Sequence, residues 1–414
     1  MIVVLFTTSY PYDYATEQTF LKGEIEILRK RFERVILIPR IAQGNLLSVP
    51  NNKVEVDTSF AEDFTLLKRI FLGILSLFSK DFYHDIKNHF PASLSPSYLR
   101  KLVSFLSGAY ITKKWVMDWL KENKTSASSA IFYTYWFDEV TMGIGMAKNK
   151  YSDLKLISRV HGYDLYEELY GIWHCRQKSI SLLDGLFADS DIGTNYLQKK
   201  YPQFENKYET ALLGVSDPKG ISQPSKDGVL RIVSCSILNP VKRIDLLLDG
   251  IVYAAKMREN QKIEWSHFGD GDTRQDYINR VSSEFPCNVK VEFPGYQTQN
   301  ELIQTYLNHP IDIFVNVSST EGTPVSIMEA ISCGIPVIAT AVGGNVEIVS
   351  EKNGFLLSEN PTPQEIAETL LRVCDQTDEM LKKRQGSREV WLQRYNEATN
   401  FEAFAQKLVE IRKR

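Results

Sequence analysis

The sequence is poor in the residues that make a protein cross-linked, metal-bound or membrane-spanning. Its 414 residues hold five cysteines, Cys175, Cys235, Cys287, Cys333 and Cys374, with no CxxC pair. An odd, scattered set argues against a disulfide framework or a zinc ribbon and fits a reduced compartment. Cys235 and Cys333 sit among apolar residues and read as small buried hydrophobes. Long apolar runs are also missing. The longest, Ile70–Phe78, is about half of the ~20 residues that span a bilayer. The opening "MIVVLFTTSYP" lacks a basic n-region and a small-residue cleavage site, and reads as a first strand rather than a signal peptide. There is no excess of positive charge: 48 Lys and Arg stand against 51 Asp and Glu, a net −3. A globally basic nucleic-acid surface is not suggested. Low-complexity segments and sequence repeats are absent too. The expectation is a cytoplasmic protein that binds no nucleic acid. With 43% hydrophobic residues, the chain has the composition of a globular protein and the length for two domains.

What is present is alternation. Ile2–Thr7 is a short β-rich run, 18–31 carries Phe20, Ile25 and Leu28 at helical spacing, and Val35–Pro39 is the next strand. A strand, a helix and a strand imply parallel pairing. Strand-like runs return at Ala130–Tyr135, Lys155–Val160 and Gly185–Ala188. The Gly/Ser/Pro/Lys segment from Leu212 to Leu230 is a linker by composition. A second series follows: strands near 231–236, 264–269, 289–293, 311–317 and 337–340, with helices near 244–257, 273–284, 301–307 and 324–333. The expected fold class is α/β: two doubly wound parallel-sheet domains, with a ligand in the cleft between them. The boundaries drawn are 1–215, completed by a C-terminal helix at about 392–414, and 216–391. A kink is expected near 396–400.

Residues 60–123 differ, being helical, aromatic and dotted with Lys68, Arg69, Arg100, Lys101, Lys113 and Lys114. They read either as helices packed on the first domain or as a surface that rests on a membrane or holds a lipid-linked substrate.

The stretch "SSTEGTPVSIMEAISCGIPVIATAVGG", 318–344, carries the most chemistry. It follows the β-rich run "IDIFVNV", so "SSTEGT" is a loop at a strand's carboxyl end, where open α/β sheets bind ligands. Pro324 suits the first helical position with Thr323 as cap. Glu321 then lies in the loop and Glu329 in the helix. A carboxylate accepts two hydroxyl hydrogen bonds at once, which suits a polyol. The helix start offers the N–H groups of Val325 and Ser326 to an anion. The "AVGGN" loop offers a second cradle. Taken alone, each glutamate is also readable as a solvated side chain.

"EGTPVSIME", with the strand before it and "AISCGIPVIAT", "VGGNVEIV" and "NGFLL" after it, resembles the E-x7-E signature of retaining glycosyltransferases of family 4, whose architecture is called GT-B. The chain looks most like bacterial enzymes of polysaccharide or lipid-linked oligosaccharide synthesis. The resemblance implies that Glu321 holds hydroxyls of the donor sugar and Glu329 the nucleotide ribose. Gly322, Thr323, Pro324, Val325 and Ser326 then line the sugar and diphosphate. "SCSILNPVKRID" implies that Lys242 neutralises the diphosphate. Ile237 stands where the family has an arginine, and Arg243 is the candidate replacement. "SRVHGYDLYE" places His161 near the reacting carbon, with Asp164 orienting its loop, and "ADSD" adds Ser190. "HFGDGDTR" resembles the family's G-x-G-P turn, with Gly269 and Gly271 near the base and Asp272 for the proline. Tyr296 of "FPGY" stacks on that base. Acceptor contacts are sought at Tyr10, Tyr12, Tyr14 and Glu17.

The implied reaction moves a sugar from a nucleoside-diphosphate sugar to a glycan or lipid-linked hydroxyl, with retention, no metal and no cofactor, in cell-surface polysaccharide synthesis. The expected location is cytoplasmic, or peripheral on the inner face of the plasma membrane through residues 60–123. The alternatives are a phosphorylase or hydrolase on the same fold, and a binding protein on a catalytically dead scaffold.

Overall fold

The computed structural model describes residues 1–14, 17–49, 53–123 and 127–413. The chain forms two compact units, Met1–Leu212 with Phe401–Arg414, and Leu213–Asn400.

In the first unit the strands are β1 (Ile2–Thr7), β2 (Arg34–Pro39), β3 (Val54–Val56), β4 (Ala130–Thr134), β5 (Lys155–Val160), β6 (Gly185–Ala188) and β7 (Tyr208–Thr210). They form one parallel sheet in the order β3-β2-β1-β4-β5-β6-β7. The order reverses between β1 and β4, which opens a crevice at their carboxyl ends. Helix α1 (Gln18–Arg31) buries Leu21, Ile25 and Leu28. Leu21 takes the core position expected of Phe20, which only packs at its edge. Short α2 (Ser59–Asp63) is followed by α3 (Leu66–Ser76), α4 (Lys80–Asn88), α5 (Pro96–Glu122) and α6 (Glu139–Met146). Helix α5 starts with a proline, whose fixed φ suits the first turn. It packs Ile111, Trp115, Val116 and Trp119 onto the sheet core.

The second unit repeats the plan with β8 (Leu230–Cys235), β9 (Ile263–Phe268), β10 (Val289–Gly295), β11 (Ile313–Asn316), β12 (Val337–Thr340) and β13 (Gly354–Leu357). The sheet is parallel, in the order β10-β9-β8-β11-β12-β13. Its reversal lies between β8 and β11. Strands β11 and β12 are buried at every position, as sheets covered on both faces require.

The expected terminal helix is broken. Thr377–Val390 runs into a π-helical turn at Trp391–Tyr395, and Asn396 is extended. Asn396 pairs with Val215 in a parallel bridge, and the helix resumes at Glu397–Lys413. Phe404, Leu408 and Ile411 of that last helix complete the core around Val3 and Leu5 of β1. Cys333 is buried, whereas Cys235 is only half-buried.

Candidate active site

The reversal in the second sheet brings the loops after β8 and β11 together. Asn239 accepts from the Lys242 N–H (3.2 Å) and so fixes a tight turn after β8. The turn aims Lys242 at the loop after β11, where Nζ lies 2.6 Å from Glu321 Oε1. The same oxygen accepts from Asn316 Nδ2 (3.0 Å) and Ser318 Oγ (2.6 Å). Three donors thus fix the carboxylate through Oε1, and Oε2 takes no part in those bonds. A Glu–Lys pair held this way presents an acceptor and a cation side by side, able to meet a hydroxyl and a phosphate at once.

The double glycine downstream holds this loop rather than cradling an anion. Gly344 N–H donates to Gly322 O (2.9 Å). A Cβ on Gly343 would sit 1.8 Å from Glu321 O, and one on Gly344 2.1 Å from Gly322 O. Only glycines allow that approach, and Gly343 also has φ +46. The second cradle is therefore corrected for Gly344, whose N–H already has an acceptor. The helix start is corrected by one residue as well. Pro324, with ψ 98, is the cap of the helix Val325–Ser332 and adds no side-chain bond. Thr323 Oγ1 is buried without a hydrogen-bond partner. The N–H groups of Val325 and Ser326 then head the helix, where geometry leaves them no intrahelical acceptor.

Glu329 lies inside that helix and is buried, accepting from Gln299 Nε2 (2.9 Å). Burial lifts its pKa to about 7, against the pull of the Gln299 bond. Arg243 is engaged by the protein's own carbonyls. Its guanidinium donates to the carbonyls of Val317 (2.6 Å), Ser318 (2.8 Å) and Glu359 (2.9 Å) and to Asn360 Oδ1 (3.2 Å). It braces the β8 and β11 ends from a left-handed position, φ 49. Ile237 is exposed and uncharged. Gly269 N–H donates to Gly295 O (2.9 Å) and Gly271 N–H to Asp270 Oδ1 (2.8 Å), so both amides hold the turn. Asp270 and Asp272 are exposed on it. Tyr296 is exposed, with a free ring face for stacking.

In the first unit, the residues picked from sequence have partners of their own. His161 is buried after β5, with Nδ1 3.1 Å from Asp189 Oδ2 and Nε2 3.2 Å from Tyr135 O. Burial opposes its charge, but the Asp189 bond and carboxylate carry its pKa above the ordinary histidine value. Tyr135 and Trp136 pack on the ring, at 4.6 and 4.8 Å between centroids. With both nitrogens engaged in this structure, His161 ties the β5, β6 and β4 ends together. Asp164 accepts from the N–H groups of His161 and Phe137, which orients this loop. Ser190 Oγ caps the helix Asp191–Lys200 by accepting from Gly193 N–H (3.1 Å). Glu17 accepts from the N–H groups of Thr8, Ser9 and Tyr10 and from Trp136 Nε1. It pins the loop after β1 and is no open acceptor contact. Tyr10 is corrected too: its ring is in the core, and burial lifts its pKa to about 12. Tyr12 is half-buried in an antiparallel bridge with Leu46, and Tyr14 is exposed.

Asn316, Ser318, Gln299 and Asp189 were not singled out from sequence. The first two had a signal: polar residues inside and just after the buried run that precedes Glu321. Asp189 had one in register, since Val160 pairs with Ala188 and places residues 161 and 189 side by side.

The half of the chain that carries the Lys242–Glu321 contact is also where a known family matches. Residues 220–389 match the family described as Glycosyl transferases group 1. The matched stretch lies within the second unit. Among curated proteins, the chain is similar to the UDP-N-acetylglucosamine–peptide N-acetylglucosaminyltransferase GtfA subunit of Streptococcus agalactiae, 25% identical over 173 residues, 41% of this chain and 33% of that protein. The chain spans less than half the length of the first curated relatives it matches. Among solved structures it resembles the lipopolysaccharide outer core galactosyltransferase WaaB, with TM-score 0.69, 16% identity and 99% of both chains covered. It also resembles Anabaena HepE in complex with UDP, with TM-score 0.63, 17% identity and 99% of both chains covered. These likenesses show the fold, the GT-B architecture of two parallel-sheet domains.

Proposed function

We propose that the protein transfers a sugar from a nucleoside-diphosphate sugar to a hydroxyl of a glycan or lipid-linked acceptor in bacterial cell-surface glycan synthesis. The observation that carries this reading is the Lys242–Glu321 contact, 2.6 Å, at the sheet reversal of a group 1 domain. A UDP-sugar is the donor proposed first. It is the donor named for the Streptococcus relative, and UDP is the ligand of the HepE complex.

In this reading Glu321 Oε2 accepts donor-sugar hydroxyls while Lys242 and the N–H groups of Val325 and Ser326 meet the diphosphate. Charge grows on the diphosphate as the bond from the anomeric carbon to its oxygen lengthens. A cation and aligned N–H dipoles stabilise that charge without moving. The acceptor oxygen bonds to the anomeric carbon on the face the diphosphate leaves, and the acceptor proton passes to the departing phosphate oxygen. Configuration is retained. The step asks for no nucleophilic side chain, metal or cofactor. Glu329 takes the ribose hydroxyls.

A thermal-shift panel of nucleotides and nucleotide-sugars tests the donor half, since a ligand of the folded state raises its melting temperature. UDP-sugars are expected to give the largest shift. Lys242→Ala and Glu321→Ala are each expected to lower kcat by ~10²–10³-fold with melting little changed. Full transfer by both variants would refute the assignment. One observation favours a second reading, a binding protein on the same scaffold: Ile237 is uncharged and Arg243 is committed to carbonyls. Nucleotide-sugar binding without turnover across an acceptor panel would select it.

A further inference from the structure

Helix α3 packs Leu72 on the sheet core and turns its other large apolar residues outward. A surface helix normally turns its apolar stripe to the core and its polar face to water. Here Gly73, Ser76 and Arg69 face α5: a Cβ on Gly73 would sit 3.0 Å from Val103 Cγ1, and Arg69 donates to Ser104. The outward stripe is Leu66, Leu67, Ile70, Phe71, Ile74 and Leu75, with Leu77 and Phe78 continuing it. Leu67 and Phe78 are 80% and 81% exposed, near the level of an isolated side chain. A contiguous apolar face of this kind marks an interaction site.

Two observations choose the occupant. The stripe contains no polar side chain, whereas protein interfaces carry about one hydrogen bond per 100–200 Å². The surrounding segment is basic: Leu66–Glu122 holds nine Lys and Arg against four Asp and Glu, in a chain of net charge −3. A second copy of the chain would set two such basic surfaces against each other. An anionic bilayer complements both features, with acyl chains for the stripe and headgroups for the cations. Arg100 and Lys101 are exposed on α5, one turn from the Ser104 that holds Arg69. They line a groove of about 400 Å³ with Phe105, Tyr163, Tyr170 and Trp173. No helix among the described residues is long and apolar enough to cross a membrane, so contact is in the plane of the interface.

We infer that α3 lies in the interface of an anionic lipid bilayer, its Leu66–Phe78 stripe among the acyl chains and the α5 cations at the headgroups. This extends the acceptor half of the proposed function, but its test reads vesicle binding and not sugar transfer, so either can fail alone.

The test is flotation of the full chain with vesicles of phosphatidylcholine, with and without phosphatidylglycerol at one part in four. The chain is expected to float with anionic vesicles and at least tenfold less with neutral ones. The double variant L67D/F71D is expected to lose at least tenfold of the bound fraction, and Leu381→Asp, at an exposed site in the other unit, to lose none. In the unsubstituted chain, vesicles are expected to slow amide exchange in Leu66–Ser76. Absence of flotation, equal binding to neutral vesicles, or unchanged exchange would overturn the inference. So would sedimentation as a dimer that L67D/F71D dissociates, which would assign the face to a second copy. Retention of an acidic protein partner in place of vesicles would overturn it too.

Discussion

The two sheets reverse their strand order in the same way, yet their carboxyl ends are furnished differently. At the second reversal, Lys242 and Glu321 are fixed on one side and open on the other. At the first, Glu17 binds its own loop amides and His161 is closed between Asp189 and Tyr135. Behind them Arg159 and Glu24 form an ion pair buried to 0% exposure on both sides. Arg159 also donates to Tyr133 Oη (2.9 Å) and Ala211 O (2.6 Å). One topology thus supports two uses of charge. In the proposed function the second unit directs it at a ligand; the first uses it to hold loops, and carries an exposed apolar stripe on α3.

The comparison breaks most visibly at that buried pair. Glu24→Gln leaves an uncompensated guanidinium and is expected to lower stability by roughly 3–5 kcal/mol, read by chemical denaturation. Nucleotide-induced thermal shifts, which report the second unit, should persist at temperatures where the variant is folded. Lost nucleotide shifts in a folded variant would mean the two charge systems are not separate.

Next is Glu329, the buried acid of the ligand side. Its pKa rises from 4.5 to about 7 on folding, so the native state holds an extra proton between those values. Stability therefore falls as pH climbs through that window, by about 3 kcal/mol in all. Glu329→Gln is expected to flatten this slope and to be the more stable protein above pH 7, as denaturation at pH 5 and pH 8 will show. A parallel slope in both proteins would place the titration elsewhere.

Two smaller effects sharpen the contrast between holding and binding. Arg243→Ala loses its bonds to three carbonyls and is expected to cost about 2 kcal/mol of stability with little change in nucleotide affinity. A large loss of affinity with stability intact would return Arg243 to the diphosphate. Ser190→Ala removes a helix cap and is expected to cost ~1 kcal/mol, with KM for the donor unchanged.

Much of the fold was legible because strands and helices announce themselves in periodicity. Strands β3 and β7 were not, having only 3 residues each, too short for a pattern; β13 was missed at the same 4-residue length as β6 and β12, which were read. The π-helical turn at Trp391 was invisible for another reason: it exists because Asn396 pairs with Val215, a partner distant in sequence. The site divides the same way. Glu321, Glu329 and Lys242 stood out by spacing and by resemblance. What engages Arg243, His161 and Glu17 depends on neighbouring strand ends, which one sequence does not print. The resemblance named residue types correctly placed near strand ends, but the partners decide which of them has an atom left for a ligand.

The last helix has a consequence for how the chain comes to be made. The second unit is one unbroken stretch, Leu213–Asn400, while the first needs Phe401–Arg414 to close around β1. A ribosome adds roughly 5–20 residues per second and domains generally fold as they emerge, earliest first. Here the order is inverted. The later-encoded unit has all its residues first, while the core around Val3 and Leu5 of β1 stays incomplete for the whole synthesis of its neighbour. The nascent chain thus carries an incompletely covered hydrophobic seam until Phe401–Arg414 emerges, and that interval is when a chaperone has most to protect.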